Sequence, residues 1–243
     1  MRHCHNLNKI IWVLLDFFGT LGKCWTQDEV RQLQKVLGHQ FRNSQGKTAV
    51  DPKLRRLLDV TNVPDHGEFL TTIARELGVT RPITDRTITE FDQLLERVRS
   101  MSSMFNDVEL VLRKLKRKGY QLGIVSNIWC FDVQHVFFNN GKLHRHFQTP
   151  DGKTVMVLSC EVGAAKPEPD FWKRVLELTG AEPEEILVVG DNEDEDIQGA
   201  LDAGMHAVHV CRLGNPNKEF LDVPRIQHLT ELLDLLPDRQ VRS

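Results

Sequence analysis

Four short stretches of this 243-residue chain put reactive side chains where an apolar run ends. The first is Asp16, which closes the run Ile11-Trp12-Val13-Leu14-Leu15 and is followed by Phe17-Phe18-Gly19-Thr20. A carboxylate so placed can attack phosphorus or carbon, forming a covalent intermediate that water later hydrolyses and so dividing one hard step into two. Thr20 adds a hydroxyl beside it. The second stretch is Ser126-Asn127, behind the apolar Tyr120 to Val125, where the Ser126 hydroxyl and neighbouring backbone N–H groups could hold phosphoryl oxygens. The third is Lys166 before Pro167. A dianionic phosphate approaches a carboxylate only when positive charge offsets their repulsion, which is work for an ammonium group and a divalent cation. The fourth is Gly190 followed by Asp191-Asn192-Glu193-Asp194-Glu195-Asp196, five acids in six positions. Asp191 follows directly on an apolar run and makes with Asp16 a hard-oxygen pair that suits magnesium (Mg2+), a cation that keeps several waters beside one or two carboxylates. Glu193, Asp194 and Glu195 read as surface, because acids near a helix N-terminus are favoured by its dipole.

These residues need elements to gather them. The continuous apolar run before Asp16 reads as a strand buried on both faces, the kind found in parallel sheets. Tyr120 to Val125, Val155 to Leu158, Ile186 to Val189 and His206 to Val210 read the same way. Helical spacing lies between them: Val108, Val111, Leu112 and Leu115 after the cap-like Asn106 to Glu109, then Phe171, Val175, Leu176 and Leu178 after Pro167, then Ile197 to Ala203, and last Leu229 to Leu236. Strand alternating with helix implies an α/β fold, a doubly wound parallel sheet whose ligands sit in the crevice outside the strand ends. One long stretch breaks the alternation. Thr26-Gln27-Asp28-Glu29 has the spacing of a capping box, and Val30, Leu33, Val36 and Leu37 follow at helical intervals. Further helices are expected around Leu54 to Leu58, from Pro64-Asp65 to Leu77, and from Phe91 to Met101, with no convincing strand among them. Residues 1–23 and 104–243 are therefore expected to form a Rossmann-like core, with 24–103 an inserted helical domain.

A net charge of −3 gives no electrostatic footprint for nucleic acid or for an anionic membrane, and 40% hydrophobic content is ample for a buried core. Small ligands are the expected partners. Five scattered cysteines without a C-x-x-C pair suggest neither a disulfide framework nor a zinc site, and fit a reducing cytoplasm. The apolar run at Ile10 to Leu15 is too short to span a bilayer.

With its four strand-end motifs in this order, the sequence resembles the haloacid dehalogenase-like hydrolase superfamily. Asp16-Phe17-Phe18-Gly19-Thr20 is similar to the nucleophile motif, Val125-Ser126-Asn127 to the second, Lys166-Pro167 to the third, and Gly190-Asp191 with Asp196 to the fourth. The resemblance implies a helical cap at 24–103 and a magnesium-dependent phosphatase acting on a small phosphorylated metabolite. Asp16 would be the nucleophile, Lys166 a catalytic cation, and Thr20, Ser126, Asn127 and Lys166 the phosphate-binding groups. It also implies a metal site of Asp16, Asp191 and the backbone carbonyl of Phe18, with Asp196 behind them or an occasional ligand. Trp25, Arg42 and Trp129 are candidate substrate contacts.

Phe18 departs from the family pattern. Phosphatases of this superfamily usually carry a second Asp there, which protonates the leaving alcohol and then activates water. Phe moves no proton, and such assistance is worth about 10²–10⁴ in rate, roughly 3–5 kcal/mol. Either the acid comes from the cap or the substrate, or the leaving group needs no proton, or fast catalysis has been given up. The family's dehalogenases also carry an aromatic residue here, so a 2-haloacid dehalogenase acting through an ester intermediate is one alternative. Their fourth motif, however, is Ser- and Asn-rich rather than acidic. A slow or inactive homologue that binds a phosphorylated ligand or a protein is the other.

Overall fold

The computed structural model describes residues 7–22, 27–101, 103–133, 143–149, 151–212 and 223–239. Its centre is a parallel six-stranded sheet: β1 (Trp12–Leu15), β2 (Gln121–Ser126), β3 (Met156–Leu158), β4 (Ile186–Gly190), β5 (His206–Val210) and β6 (Arg225–Ile226). The spatial order β3-β2-β1-β4-β5-β6 puts β1 in the middle, at the point where the winding reverses. Leu15 pairs with Ile124 on one side and with Val189 on the other, so the residues that follow β1, β2 and β4 emerge at one level.

The helices are α1 (Gln27–Val36), α2 (Pro52–Val60), α3 (His66–Glu76), α4 (Asp85–Met101), α5 (Val108–Arg117), α6 (Ser159–Val162), α7 (Pro169–Thr179), α8 (Gly199–Asp202) and α9 (Leu232–Leu235). Alternation of strand side chains decides which helices cover which face. Val13 and Leu15 point to a layer that includes Val111, Leu112 and Leu115 of α5 and Leu232 of α9. Trp12 and Leu14 point to the opposite layer, with Phe171, Trp172 and Val175 of α7 and Ala200 of α8. Both faces are covered, as the unbroken apolar runs require.

Helices α1–α4 bury Leu33, Leu54, Leu58, Phe69, Ile73, Phe91 and Leu95 in a core of their own, which Trp129 joins from the sheet side. None of the described helices is long and apolar enough to cross a membrane.

Several boundaries differ from expectation. The helix expected at Pro167 begins at Pro169, after a cis Lys166–Pro167 peptide. That expected at Ile197 begins at Glu193 with a π-helical turn, Glu193–Gln198, before α8. The closing helix opens with a 3-10 turn, Leu229–Glu231. Asp107 stands at the N-cap of α5 but makes no cap bond there. Its carboxylate accepts instead from both terminal nitrogens of Arg212, at 3.1 and 2.9 Å, and from the Leu229 N–H at 2.8 Å.

Candidate active site

The strand ends converge on one carboxylate cluster. Asp16 donates its backbone N–H to Val189 O at 2.9 Å, which locks the end of β1 to the end of β4, where Asp191 follows. Carboxylate oxygens of Asp16, Asp191 and Asp196 all lie within 4.8 Å of one another. Two glycines make that approach possible. Gly19 has φ +84°, open to glycine and strained for other residues, and a Cβ there would meet Asp191 Oδ2 at 2.1 Å. A Cβ on Gly190 would meet the Asp196 carboxyl at 2.3 Å.

Lys166 reaches into the cluster. Its buried Nζ donates to Asp16 Oδ1 at 2.7 Å, to Val125 O at 3.0 Å and to Asp196 Oδ1. Burial alone would lower the ammonium's pKa, but Asp16 and Asp196 together hold it above its ordinary range. Burial raises the Asp16 carboxyl well above its usual value, opposed by Lys166 and reinforced by Asp196 and Asp191. Asp191 is the member open to solvent; even so, the surrounding protein and then the charge of Asp196 push it up to about 7. Asp196 is 1% exposed and has both oxygens engaged, Oδ1 by Lys166 and Oδ2 by the Asn192 N–H at 3.0 Å. It therefore stands behind the other two. His209 of β5 is 3.1 Å from Asp191 O through Nε2 and steadies that loop.

Three carboxylates against one ammonium leave an uncompensated negative charge among hard oxygen donors, and that donor set fits magnesium. Thr20 and Ser126 are both fully buried, and among the described residues neither hydroxyl oxygen has a hydrogen-bond partner. Buried polar groups are normally satisfied, so two orphaned hydroxyls beside the strand ends suit an incoming anion.

A cavity of about 110 Å³ opens over the cluster, lined by Asp16, Phe18, Asn127, Trp129, Asp191 and Asp196 and, from α1 and α2, by Val30, Arg55 and Asp59. A family model described as haloacid dehalogenase-like hydrolase matches residues 27–210. The chain belongs to this family. Over 123 residues it is 32% identical to a phosphoserine phosphatase of Thermus thermophilus, a stretch that covers 51% of this chain and 47% of that one. Thus the chain spans about half the length of that curated relative. Over 233 residues it is 26% identical to the pyrophosphatase PpaX of Bacillus mycoides, covering 94% and 96% of the two. The crystal structure of a HAD phosphatase from Thermococcus onnurineus superposes with a TM-score of 0.61 at 25% identity, covering 96% of this chain and 100% of that one.

Within this haloacid dehalogenase-like hydrolase, several side chains differ in place from the sequence reading. Asn127 has its amide engaged: Nδ2 donates to Lys166 O at 3.1 Å and to Glu195 Oε2 at 3.0 Å, while Oδ1 accepts from the Lys166 N–H at 2.9 Å. It fastens the Lys166 loop to β2 and lines the cavity. Glu195, expected at the surface, lines the cavity; burial and the nearby Asp196 charge raise its carboxyl, and Lys166 opposes them. Arg42 does not line the cavity. It is exposed and donates to Gly46 O at 2.8 Å across a local turn, so the cavity's cation is Arg55. Trp129 does line it, 6% exposed. Trp25 lies outside the described residues.

Sequence reasoning missed Arg55 and Asp59, both on α2. The two lie four apart on one helix face beside the apolar stripe of Leu54 and Leu58, and nothing in the sequence distinguishes them from a solvated ion pair.

Proposed function

We propose that this chain is a magnesium-dependent phosphatase that acts on a small phosphorylated metabolite through an aspartyl-phosphate on Asp16. The observation that carries the reading is Asp16 itself, at the end of the central strand, hydrogen-bonded by a buried Lys166 inside a three-carboxylate cluster. The relatives that are phosphatases by name support it. Residues 24–103 would act as the cap and supply Arg55 to an anionic substrate.

In this mechanism Thr20 and Ser126 receive phosphoryl oxygens, and Lys166 fixes the nucleophile's orientation and offsets its charge. Asp16 Oδ attacks phosphorus, and the leaving group departs opposite. Water then attacks the same phosphorus and releases the Asp16 carboxylate. Asp16, Asp191 and the Phe18 carbonyl would hold the cation with Asp196 behind them, and the chemistry magnesium supplies when bound is neutralisation of charge between nucleophile and phosphoryl oxygens. The acidic fourth stretch argues against carbon–halogen cleavage, which needs no cation. We assign the protein to a reducing cytoplasm, in keeping with the free Cys130, Cys160 and Cys211.

The test is hydrolysis of p-nitrophenyl phosphate with magnesium or with chelator, and with Asp16→Asn. Turnover that needs magnesium and vanishes in Asp16→Asn is expected. Chelator-insensitive turnover, an indifferent Asp16→Asn, or halide release from a 2-haloacid without magnesium overturns the reading. Magnesium should also raise the melting temperature of the wild type and not that of Asp191→Asn, by linkage of binding to folding.

A further inference from the structure

Phe18 leaves the site without the proton donor that cleavage of an alkyl phosphate needs, and five carboxyl groups line the cavity: Asp16, Asp59, Asp191, Glu195 and Asp196. Four are committed. Asp16 is bonded to Lys166, Asp196 to Lys166 and Asn192, and Glu195 to Asn127, while Asp191 sits in the metal cluster. Asp59 is the fifth. It comes from α2 and lines the same cavity as Asp16 and Asp191.

Resting on the phosphatase reading above, we propose that Asp59 is the general acid and base of the reaction, supplying from the helical segment the proton that residue 18 cannot move.

Its surroundings hold it in place. The Asp59 side chain is only 9% exposed. Its carbonyl oxygen accepts from Ser159 Oγ at 2.5 Å, and that hydroxyl in turn accepts from the Ile128 N–H at 3.0 Å, so this end of α2 is pinned to the core beside the second motif. The carboxyl accepts a hydrogen bond from the Trp129 side chain, and Arg55 Nε lies 4.0 Å from Oδ2. The charged groups facing it are Arg55 from its own helix, Glu195 from the π-helical turn and Lys166 from its loop. Burial outweighs the two cations and holds the carboxyl near 7, so both protonation states are accessible at neutral pH. A phosphate dianion entering the cavity adds negative charge, favours the protonated form, and draws Arg55 towards itself.

The proton then balances in both halves. As Asp16 Oδ attacks phosphorus, the bond from phosphorus to the leaving oxygen breaks with its electron pair on that oxygen, which takes the Asp59 proton and leaves as the alcohol. As water attacks the phospho-aspartate, the Asp59 carboxylate takes a water proton, the bond from phosphorus to Asp16 breaks, and both carboxyl groups return to their starting states.

The experiment compares kcat/KM, which reports the first phosphoryl transfer, for p-nitrophenyl phosphate and glycerol 2-phosphate with magnesium, in the wild type and Asp59→Asn. Only the alkyl ester needs a proton on its leaving group. Asp59→Asn should lower kcat/KM for glycerol 2-phosphate by about 10²- to 10⁴-fold and for p-nitrophenyl phosphate by less than about tenfold. It should also erase the loss of alkyl-ester turnover as pH rises through about 7. Equal losses on both esters, no loss on either, or a surviving pH limb overturns the proposal. If Asp59→Asn does not fold, a series of esters with the wild type decides: shallow dependence on leaving-group acidity is expected, and steep dependence overturns it. A wild type that hydrolyses neither ester fails the phosphatase reading and this one with it, whereas an active wild type with an indifferent Asp59→Asn fails only the proton role.

Discussion

At the scale of single residues, position 18 and position 59 form a pair. Both line the same cavity, one from the end of β1 and one from α2, and only one carries a carboxyl. If Asp59 supplies the proton, a carboxyl at position 18 is redundant in the wild type and needed once Asp59 is gone. Phe18→Asp should therefore raise glycerol 2-phosphate turnover only a few-fold in the wild type, but by at least about tenfold in the Asp59→Asn background. The double variant's kcat/KM measured against both singles checks this, and equal gains in the two backgrounds would show that the positions act independently. The same pair shows what the sequence made legible. Asp16 and Asp191 follow directly on apolar runs and Lys166 precedes a helix start, so local pattern pointed to them, whereas Asp196 came from the family resemblance. Asp59, Arg55 and Glu195 earn their place only through tertiary contact: an acid beside an apolar helix stripe has no local sign to tell cavity from surface. Arg42 failed for the converse reason, since its cation is used by a neighbouring turn.

At the scale of elements, the site depends on turns that bring carboxylates against backbone. The β1 end was readable because an unbroken apolar run stopped at Asp-Phe-Phe-Gly-Thr. The start of α5 was readable as well, but the role of Asp107 there was not, because its partners are remote in the chain: it caps nothing in α5 and takes Arg212 and Leu229 from beyond β5. The two-residue β6 was not anticipated, being too short to show alternation. Gly19 gives the turn its own test. Gly19 and Gly46 have similar positive φ, 84° and 73°, but a Cβ on Gly46 has nothing within 4 Å while one on Gly19 enters the Asp191 carboxyl. Alanine at either position should cost about 1–3 kcal/mol of backbone strain, lowering the melting temperature. Only Gly19→Ala should also displace Asp191 and remove magnesium-dependent activity. Full turnover in Gly19→Ala would mean that the contact between turn and carboxylate has no part in catalysis.

For the whole molecule, the doubly wound order and its helical segment followed from alternation and its interruption, because a sheet covered on both faces leaves unbroken apolar strands. The energetic side was hidden, because burial of a charge is a property of the assembled fold. Asp59 illustrates the consequence. Its carboxyl titrates near 3.8 in the unfolded chain and near 7 in the folded one. Below about pH 4 both states hold the proton and folding loses nothing. As pH rises from there the unfolded chain releases its proton first, so this group's contribution to stability falls until the folded carboxyl also ionises near 7, a loss of about 4 kcal/mol in all. Asparagine keeps the shape and the acceptor for Trp129 without the charge. Asp59→Asn should therefore melt close to the wild type at pH 4 and progressively above it towards pH 8, by an amount on the order of 10 °C for a chain of this size. Asp59 lies outside the metal cluster, so the widening gap should appear with magnesium or with chelator. Thermal unfolding followed by circular dichroism at stepped pH checks it, and a gap that stays constant with pH would mean that the carboxyl is not held neutral by burial. A site that pays stability near neutral pH to keep a titratable acid in the cavity that its nucleophile lines is what a proton-transfer role requires and a purely structural aspartate does not.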